Sequence, residues 1–410
     1  MKEFEIPVTY RSPLISAVKL KRKQLDKLKK DFSPTVLEAG PIKILLARHF
    51  GFCYGVENAI EIAFRTVEEN PGKRIFLLSE MIHNPQVNDD LMARGVKFLK
   101  DTKGNTLIPF QDLNSEDIVI IPAFGTTLDI ENELLGMGIH TEKYNTTCPF
   151  VEKVWNRAEA ISKKSYSIIV HGKPNHEETR ATFSHSALNT PTIIVKDMAE
   201  TILLQQFISG EKDASLFYDV FKGQYSTGFD VTKDLERIGV VNQTTMLASD
   251  TQAIAEYLKQ VMMKKHGLDE NNISERFADT RDTLCYATND NQGAVYGMLE
   301  QQADFAIVVG GYNSSNTSHL VDLCEEKLPT YFIDSPERII NKELIINFDH
   351  HIKKIEPVNN FLPDKNSITV MITSGASCPD ATVEAVIAKL LSYYNIDLYE
   401  SKLIDQFNTN

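Results

Sequence analysis

Three of the five cysteines lie where a short apolar run gives way to a helical pattern. They are Cys53 in Gly-Phe-Cys-Tyr-Gly, Cys148 in Thr-Thr-Cys-Pro and Cys285 in Leu-Cys-Tyr-Ala-Thr, and 95 and 137 residues separate them. They can therefore meet only in the folded chain. Thiolates are soft ligands that favour iron–sulfur clusters or zinc, and three of them leave one metal position open for a substrate. The alternative is packing, because isolated cysteines are often small buried core residues.

Cys148 stands directly before Pro149, and proline is favoured at the first position of a helix. We therefore expect Cys148 at the N-terminus of a helix over residues 151–162, where the helix dipole would lower the thiol pKa and favour the thiolate. The remaining two cysteines are expected to be structural. Cys324 falls inside a helical pattern, and Cys378 is interpreted as a small loop residue.

Polar side chains cluster after other apolar runs, and together they could bind a small anion. The sequence has no GxxxxGK[ST] motif and no convincing GxGxxG motif, so a nucleotide-phosphate loop is not expected. Histidine, hydroxyl and amide groups can instead hold a diphosphate through charge-assisted hydrogen bonds. Taken singly, a loop serine or asparagine more often caps a helix, and a lone histidine is more often a satisfied polar residue. The candidates are His83, His176, Glu178, Thr244, Ser314, Asn316 and Ser377.

The elements that must position these residues are short apolar runs rich in β-branched residues, each followed by a polar cluster and a helical pattern. Continuous apolar strands that alternate with helices indicate parallel sheets covered on both faces, in an α/β fold. About nine or ten strands are too many for one small sheet, so several βα modules are expected. Ligands bind beyond the carboxyl ends of such strands. The predicted strands are 42–47, 74–78, 118–121, 167–170, 192–195, 239–241, 306–309, 331–333 and 368–372.

The composition restricts the class of protein. The 410 residues are 42% hydrophobic and 24% charged, which excludes a disordered, collagen-like or wholly coiled-coil chain. A net charge of −13 argues against a nucleic-acid partner, because binding to phosphates depends on lysine and arginine. The longest apolar runs are shorter than the roughly 18 residues of a membrane span, so no membrane partner is expected. Five cysteines without a CxxC pair, and a start without secretory features, favour a reducing, cytoplasmic location.

The first 40 residues differ from the rest of the chain. They carry nine basic and five acidic residues, a net +4, against −17 for the remainder. Leu14, Val18, Leu25 and Leu28 fall at helical spacing, which predicts a basic amphipathic helix over residues 16–32. This helix either packs on the first domain with its charges in water or forms a docking patch for an acidic electron carrier.

Eight motifs occur in the order that is typical of 4-hydroxy-3-methylbut-2-enyl diphosphate reductases, and the chain from about residue 43 to residue 389 resembles this family. That family performs the last step of the methylerythritol phosphate route of isoprene biosynthesis. The motifs are Gly-Phe-Cys-Tyr-Gly-Val-Glu-Asn-Ala, Ile-His-Asn-Pro, Thr-Thr-Cys-Pro-Phe-Val, Asn-His-Glu-Glu-Thr, Asn-Gln-Thr-Thr-Met, Cys-Tyr-Ala-Thr, Asn-Ser-Ser-Asn-Thr and Ser-Gly-Ala-Ser-Cys-Pro-Asp.

The resemblance implies three α/β modules with mainly parallel sheets, in a pseudo-threefold trefoil around a central iron–sulfur cluster. Residues 1–40 would form a basic extension and 41–148 the first module. Residues 149–284 would form the second module, with a polar surface insertion at about 210–234, and 285–410 the third module with a C-terminal tail. Cys53, Cys148 and Cys285 match the ligands of one [4Fe–4S] cluster per chain.

The resemblance also implies roles for the polar clusters. Glu178 matches the carboxylate that delivers a proton, and Thr244 matches the hydroxyl linked to that carboxylate and to the substrate alcohol. The residues that match diphosphate contacts are His83, His176, Ser314, Asn316 and Ser377, with Ser315 and Thr245 as flanking hydroxyls.

One position departs from the pattern. Many bacterial members have a histidine where this chain has Phe124 in Pro-Ala-Phe-Gly, so one cationic diphosphate contact is lost. Phe124, the basic first segment and the polar insertion together resemble the plant-type branch.

The reaction implied by the resemblance removes the allylic hydroxyl of (E)-4-hydroxy-3-methylbut-2-enyl diphosphate with two electrons and two protons. The products are isopentenyl diphosphate, dimethylallyl diphosphate and water. Electrons would come from a ferredoxin, or from a flavodoxin with its reductase, and the protein would be a monomer or homodimer. Two alternatives stay open: a non-redox iron–sulfur hydro-lyase, and an iron–sulfur or zinc sensor, which would not need the diphosphate-binding clusters.

Overall fold

The computed structural model describes residues 4–278, 283, 285–399 and 403–407. Leu284 and the predicted module boundary beside it lie outside the described residues. The helices are α1 Pro13–Leu25, α2 Tyr54–Glu69, α3 Pro85–Ala93, α4 Leu128–Gly136, α5 Pro149–Ser162, α6 Glu177–Ala187, α7 Met198–Ile208, α8 Phe217–Val220, α9 Ala248–His266, α10 Tyr286–Met298, α11 Ser315–Glu325 and α12 Asp380–Ser392. The strands are β1 Thr35–Ala39, β2 Ile42–Leu46, β3 Ile75–Leu77, β4 Lys97–Phe98, β5 Ile118–Ile120, β6 Ser167–His171, β7 Thr192–Val195, β8 Ile238–Asn242, β9 Phe277–Ala278, β10 Phe305–Val309, β11 Thr330–Ile333, β12 Leu344–Asp349, β13 Lys354–Asn359 and β14 Ile368–Ser374.

The chain divides into two compact units. The first unit comprises Met1–Glu61, Ile82–Asp89 and Tyr286–Asn410, and the second comprises Ile62–Met81 and Asp90–Cys285. The division into a basic extension and three modules stays a prediction.

The first unit contains one five-stranded sheet with the strand order β1-β2-β14-β10-β11. All neighbours in it are parallel except β1, which pairs antiparallel with β2. Every residue of β10 is buried, because its run of Phe, Ala, Ile and two Val packs apolar side chains on both faces of the sheet. A separate antiparallel hairpin joins β12 and β13.

The second unit contains two parallel sheets, with the orders β4-β3-β5 and β7-β6-β8-β9. All residues of β6 and β8 are buried. Each of the nine predicted runs overlaps a strand, and the prediction of an α/β fold with mainly parallel sheets is confirmed. None of the helices within the described residues is long and apolar enough to cross a membrane.

The helix near the N-terminus is shorter than predicted. It starts at Pro13, where the Ser12 hydroxyl oxygen accepts the N–H of Ile15 at 2.9 Å, and it ends at Leu25. The prediction that it runs to residue 32 is wrong, and Leu25 and Leu28 are 76% and 75% exposed. The helix stops because acidic side chains in the next turn accept backbone N–H groups in place of helical carbonyls. Asp26 accepts from Asp31, and Asp31 accepts from Ser33, both at 2.9 Å.

This first segment packs against the rest of the first unit. The Ser12 hydroxyl and the Leu14 N–H both donate to the Glu384 carboxylate on α12, the second at 2.9 Å. The Lys19 ammonium lies 2.7 Å from a carboxylate oxygen of Asp380 on the same helix. Farther along, the Phe32 backbone lies so close to Gly297 of α10 that any Cβ at that glycine would collide with it. Packing on the first unit is therefore confirmed, and the docking patch stays a prediction that this packing does not exclude.

The segment predicted as a polar surface insertion, residues 210–234, has an apolar side that the composition concealed. Phe217, Phe221 and Phe229 are all buried and belong to the core around β6 and β7. The Phe217 and Phe229 rings stack with their centroids 5.3 Å apart. The segment therefore covers part of the second unit's core.

Candidate functional site

Cys148 lies at the N-terminus of α5, as predicted. It is the residue before the helix, with Pro149 in the first helical position. The Cys148 carbonyl accepts the N–H groups of Val151 and Glu152 at 2.8 and 3.2 Å, and its own N–H donates to the Ala123 carbonyl at 2.9 Å. Both sides of the cysteine backbone are therefore fixed, by the helix and by the loop after β5.

The pKa of the Cys148 thiol is raised to about 12, because burial disfavours the charged thiolate. The backbone N–H groups of Phe150 and Val151 lower this pKa, as expected for a helix N-terminus, but the loss of water outweighs them. The prediction of a lowered pKa is therefore wrong. A metal could still take the thiolate, because coordination removes the thiol proton outright.

Two further groups of the second unit act on the same thiol. The charges of Cys285 and Glu178 each raise the Cys148 pKa. Such an effect falls off with distance, so Cys285 and Glu178 both lie within electrostatic range of Cys148. Cys285 is buried and directly precedes α10.

Glu178 lies in the first turn of α6 and is only 1% exposed. Its Oε1 accepts a short hydrogen bond from the backbone N–H of Thr244, in the loop after β8. His176 caps the same helix, and its Nδ1 accepts the Glu178 N–H at 3.2 Å. The structure thus places the predicted acid beside the predicted hydroxyl residue, and a backbone N–H makes the link between them.

Four amide and hydroxyl residues that the sequence reasoning missed hold these loops in place. The Gln243 Oε1 accepts from the Thr179 hydroxyl at 2.9 Å, and its Nε2 donates to the Thr245 hydroxyl at 2.7 Å. The Asn242 Oδ1 accepts from the Thr283 hydroxyl, close to Cys285 in the chain. The signal was present in the sequence, because Asn242 and Gln243 directly precede the threonine pair at a strand end.

Phe124, at the position that departs from the bacterial pattern, packs against a predicted diphosphate residue. Its ring meets the His176 imidazole edge to face, with centroids 5.7 Å apart and an interplanar angle of 83°. Aromatic pairs prefer this arrangement. The phenyl ring cannot contact an anion as a cation would, but it restricts the orientation of the His176 ring.

In the first unit, the predicted residues Ser314, Ser315 and Asn316 are buried at the N-terminus of α11. The Ser314 hydroxyl oxygen caps the helix by accepting the Thr317 N–H at 3.2 Å. The Asn316 Oδ1 accepts the Ala376 N–H at 3.0 Å, but its buried Nδ2 has no hydrogen-bond partner among the described residues. An unpaired buried donor at the positive end of a helix dipole is suited to an anionic oxygen.

The predicted residues His83 and Ser377 meet at the same edge of the first unit. The Ser377 hydroxyl donates to the His83 carbonyl oxygen at 3.2 Å. Gly311, in the loop after β10, packs against that same carbonyl, where any Cβ would collide with it. Glycine is therefore required at this position, and the loops after β10 and β14 lie against the segment that carries His83.

Cys53 lies in the first unit, directly before α2. Its carbonyl accepts the Glu57 N–H at 2.9 Å, and its N–H donates to the Ala376 carbonyl at 3.2 Å. Because the Ala376 N–H donates to Asn316, a short chain of hydrogen bonds links Cys53 to the N-terminus of α11. The third predicted ligand is thus fixed relative to the predicted diphosphate residues of its own unit.

The other two cysteines are core residues, as expected. Cys324 lies within α11 and Cys378 in the loop before α12, and both are fully buried. Burial raises the pKa of each thiol to about 12. All five cysteines are free thiols.

Comparisons with known proteins identify the family of the chain. The profile of the LytB protein family matches residues 44–391. The chain is 40% identical over 353 residues to a 4-hydroxy-3-methylbut-2-enyl diphosphate reductase of Prochlorococcus marinus (strain MIT 9301), a match that covers 86% of both chains. A reductase of the same name from Picosynechococcus sp. is 39% identical over 357 residues, or 87% of this chain and 86% of the relative. Both relatives are cyanobacterial, in agreement with the plant-type resemblance.

Two solved structures share the fold. The E-1-hydroxy-2-methyl-but-2-enyl-4-diphosphate reductase of Plasmodium falciparum aligns with a TM-score of 0.60 and 22% identity, over 85% of this chain and 87% of that one. An (E)-4-hydroxy-3-methyl-but-2-enyl diphosphate reductase aligns with a TM-score of 0.51 and 24% identity, over 85% and 99%. At these identities the likeness concerns the fold alone, whereas the match to the family profile and the cyanobacterial relatives extends to the sequence. The chain therefore belongs to the LytB protein family.

Proposed function

We infer that this chain is an oxidoreductase of isoprenoid synthesis that reduces (E)-4-hydroxy-3-methylbut-2-enyl diphosphate. The reaction consumes two electrons and two protons, breaks the allylic carbon–oxygen bond and releases water, giving isopentenyl and dimethylallyl diphosphate. The observation that carries this conclusion is the buried Glu178 carboxylate within electrostatic range of the Cys148 thiol, in a chain about 40% identical to reductases of this name.

The family implies an iron–sulfur cofactor, and the side chains fit one. Cys148 and Cys285 interact in the second unit, and soft thiolates suit iron–sulfur clusters. We propose that Cys53 is the third ligand and that the three hold one [4Fe–4S] cluster per chain. A bound cluster would supply electrons and, through an open iron, a Lewis acid for the substrate hydroxyl.

Glu178 is proposed as the proton donor. A hydroxide is a poor leaving group, so the substrate oxygen must gain a proton as the carbon–oxygen bond breaks. At 1% exposure the carboxyl group is shielded from bulk water, and the Thr244 N–H fixes its Oε1. We assign proton transfer to the Oε2 side of the carboxyl group, with the Thr244 hydroxyl orienting the substrate alcohol.

The diphosphate is proposed to bind through neutral donors and histidines. The unpaired Nδ2 of Asn316 and the first-turn N–H groups of α11 provide donors in the first unit. His176 provides an imidazole in the second unit, with its ring restricted by Phe124. The full proposed set is His83, His176, Ser314, Ser315, Asn316 and Ser377.

The reaction requires an electron donor, which we propose to be a ferredoxin or a flavodoxin with its reductase. Such donors are acidic, and this chain is acidic too, so productive encounter requires a local basic patch. The exposed residues Lys23, Lys27, Lys29 and Lys30 provide one at the end of α1 and in the turn after it. The free thiols and the oxygen-sensitive type of cofactor support a reducing, cytoplasmic location.

The test is turnover of protein purified without oxygen, with substrate and dithionite, followed by chromatography of the two diphosphate products. Reductant-dependent formation of both products is expected. Conversion of the substrate without reductant would identify a hydro-lyase instead, because such an enzyme moves no electrons. Iron and acid-labile sulfide per chain test the cofactor separately, and four of each are expected for one [4Fe–4S] cluster.

A further inference from the structure

A second group of metal-ligating side chains lies in the first unit, apart from the cysteines. It consists of Asp322 and Glu325 on α11 with His350 and His351 in the turn after β12, and one ligand atom from each lies within 4.8 Å of every other. The His350 Nε2 is 2.7 Å from the Asp322 Oδ1, and the His351 Nε2 is 2.9 Å from the Glu325 Oε2. The His351 Nε2 also lies 3.8 Å from the Asp322 Oδ1.

The backbone explains why these side chains converge. Asp322 and Glu325 are three residues apart, so they project from the same face of α11. The β12–β13 hairpin turns immediately beside that face, and Asp349 stabilises the turn by accepting the N–H groups of His351 and Ile352 at 2.9 and 3.1 Å. Consecutive histidines at a strand end would normally point to opposite sides. The turn instead places the centroids of the two imidazole rings 3.9 Å apart.

The four side chains pair at hydrogen-bond distances, and the same spacing is compatible with one tetrahedral metal shell. Zinc binds histidine nitrogen and carboxylate oxygen at about 2.0–2.2 Å, which places neighbouring ligand atoms roughly 3.3 Å apart. The three separations above bracket this value, and every pair of ligand atoms lies within 4.8 Å. A metal would accept a lone pair from each imidazole, and the two ring centroids lie 3.9 Å apart.

We propose that Asp322, Glu325, His350 and His351 form a binding site for a divalent first-row transition ion of the zinc class. Two imidazoles with two carboxylates favour such an ion over magnesium or calcium, which prefer oxygen ligands alone. The site is open to solvent on one side, since the His351 and Glu325 side chains are 58% and 39% exposed while His350 is only 11% exposed. A bound ion would fix the hairpin to the C-terminal half of α11. The proposal does not depend on the proposed function.

The second ring nitrogen of His350 sets the expected strength of binding. This Nδ1 is buried and has no hydrogen-bond partner within the described ranges. Ligating histidines normally donate this N–H to a carbonyl or carboxylate, and loss of that support costs about 10–100-fold in affinity. We therefore expect a reversible zinc site that is emptied by chelators, not a permanent structural one.

The test uses the cluster-loaded protein, treated with a mild chelator and dialysed anaerobically against micromolar Zn²⁺. Elemental analysis should find one zinc per chain in addition to the iron. X-ray absorption at the zinc edge should show a nitrogen and oxygen shell at about 2.0–2.1 Å and no sulfur at about 2.3 Å. A sulfur shell would place the zinc on the cysteines and would overturn the proposal, as would an absence of bound zinc.

Variants locate the site. His350→Gln combined with His351→Gln should abolish the extra zinc. His351→Gln alone removes one ligand and should weaken zinc binding at least tenfold. This variant should keep its fold, because the His351 side chain is exposed. His140→Gln is the matched control, since His140 is an exposed histidine 3.9 Å from the Glu142 carboxylate. Among the described side chains, His140 belongs to no group of three or more clustered ligands. Zinc retained at wild-type affinity by the double variant and by His351→Gln, or lost equally in the control, would refute the assignment.

Discussion

The loops that begin α6 and α11 have the same architecture and different chemistry. Each follows the carboxyl end of a buried parallel strand, β6 in the second unit and β10 in the first, and each leads into the N-terminus of a helix. The α6 loop places a carboxylic acid, Glu178, in the first helical turn. The α11 loop has only neutral donors at that position, Ser315 and Asn316.

This difference separates two tasks. An acid in the first turn is close to the helix dipole and can hold or release a proton, but it repels an anion. Neutral donors at the same place attract an anion and cannot protonate anything. The comparison therefore supports the proposal that the second unit transfers the proton and that the first unit contributes most of the anion contacts.

The largest effect is expected from the proposed cluster ligands, because both tasks would depend on them. Cys148→Ser should lose the cluster, its brown colour and all turnover, because serine is a poor ligand for iron in such clusters. Iron and sulfide analysis after anaerobic purification measures this. Cys324→Ser is the control: its thiol is also buried and has a similarly raised pKa, so normal iron content is expected. Normal iron in Cys148→Ser would remove that residue from the ligand set.

Glu178→Gln should reduce kcat by about 10²–10⁴ and leave KM nearly unchanged, because the amide keeps the size of the side chain but cannot supply a proton. Steady-state turnover is measured beside the substrate-induced change in the cluster spectrum, which should persist. Glu177→Gln is the matched control on the adjacent residue. The Glu177 carboxylate accepts a hydrogen bond from the Ser79 hydroxyl, and a near-normal kcat is expected for this variant. A near-normal kcat in Glu178→Gln would contradict the proton-donor role.

Asn316→Asp should have the opposite signature, a KM raised roughly 10–100-fold with kcat largely preserved. The aspartate can still accept the Ala376 N–H, but it replaces the unpaired donor by an oxygen that repels phosphate. Asn347→Asp adds the same charge at a comparable asparagine, whose Oδ1 accepts the Phe332 N–H at 2.8 Å. If both variants changed KM equally, the effect would be one of net charge and not of the α11 loop.

Phe124→Leu should raise KM by about 2–10-fold, the equivalent of the 0.5–1.5 kcal/mol that an aromatic pair contributes. Leucine keeps an apolar side chain but loses the edge-to-face contact that restricts the His176 ring. Substrate titrations measure the change. If His176→Ala is combined with Phe124→Leu, the second substitution should add nothing further, and an additive loss would show that Phe124 acts without the histidine.

The smallest effect is expected from the basic patch. Reversing Lys23, Lys27 and Lys30 to glutamate should slow donor-driven turnover a few-fold at low salt, where charges are least screened, and should not affect turnover with dithionite. Reversal of the exposed Lys163, Lys164 and Lys222 in the second unit is the control. Equal slowing with both reductants would show that the segment supports the fold and not the docking of a donor.

The sequence predicted the sheets well because their strands are continuous apolar runs that fit only a doubly covered parallel sheet. The same reasoning failed where spacing and burial disagreed. Leu25 and Leu28 continue the helical spacing of Leu14 and Val18, but Asp26 and Asp31 end the helix first. Around residues 210–234 the polar composition concealed three buried phenylalanines.

The proximity of candidate residues was predictable where both sit inside motifs, as for Glu178 and Thr244, whose chemical roles stay predictions. It was not predictable where the property depends on folding. The Cys148 pKa rises because the fold removes water, and no pattern of residues around a cysteine reports that loss. The residues of the proposed zinc site were missed for a related reason. Asp322 and His350 are distant in the sequence and belong to no motif.

The contact between Ser12, Leu14 and the buried Glu384 carboxylate makes the first helix part of the cooperative unit that includes α12. If α1 opened alone, two donors to a carboxylate that is 5% exposed would be lost, while the Tyr399 hydroxyl, at 2.7 Å, would remain. Local opening is therefore unfavourable, and the buried amides of α1 should exchange with deuterium as slowly as those of α12. Slow exchange would show that residues which resemble a removable extension by charge belong to the folded core.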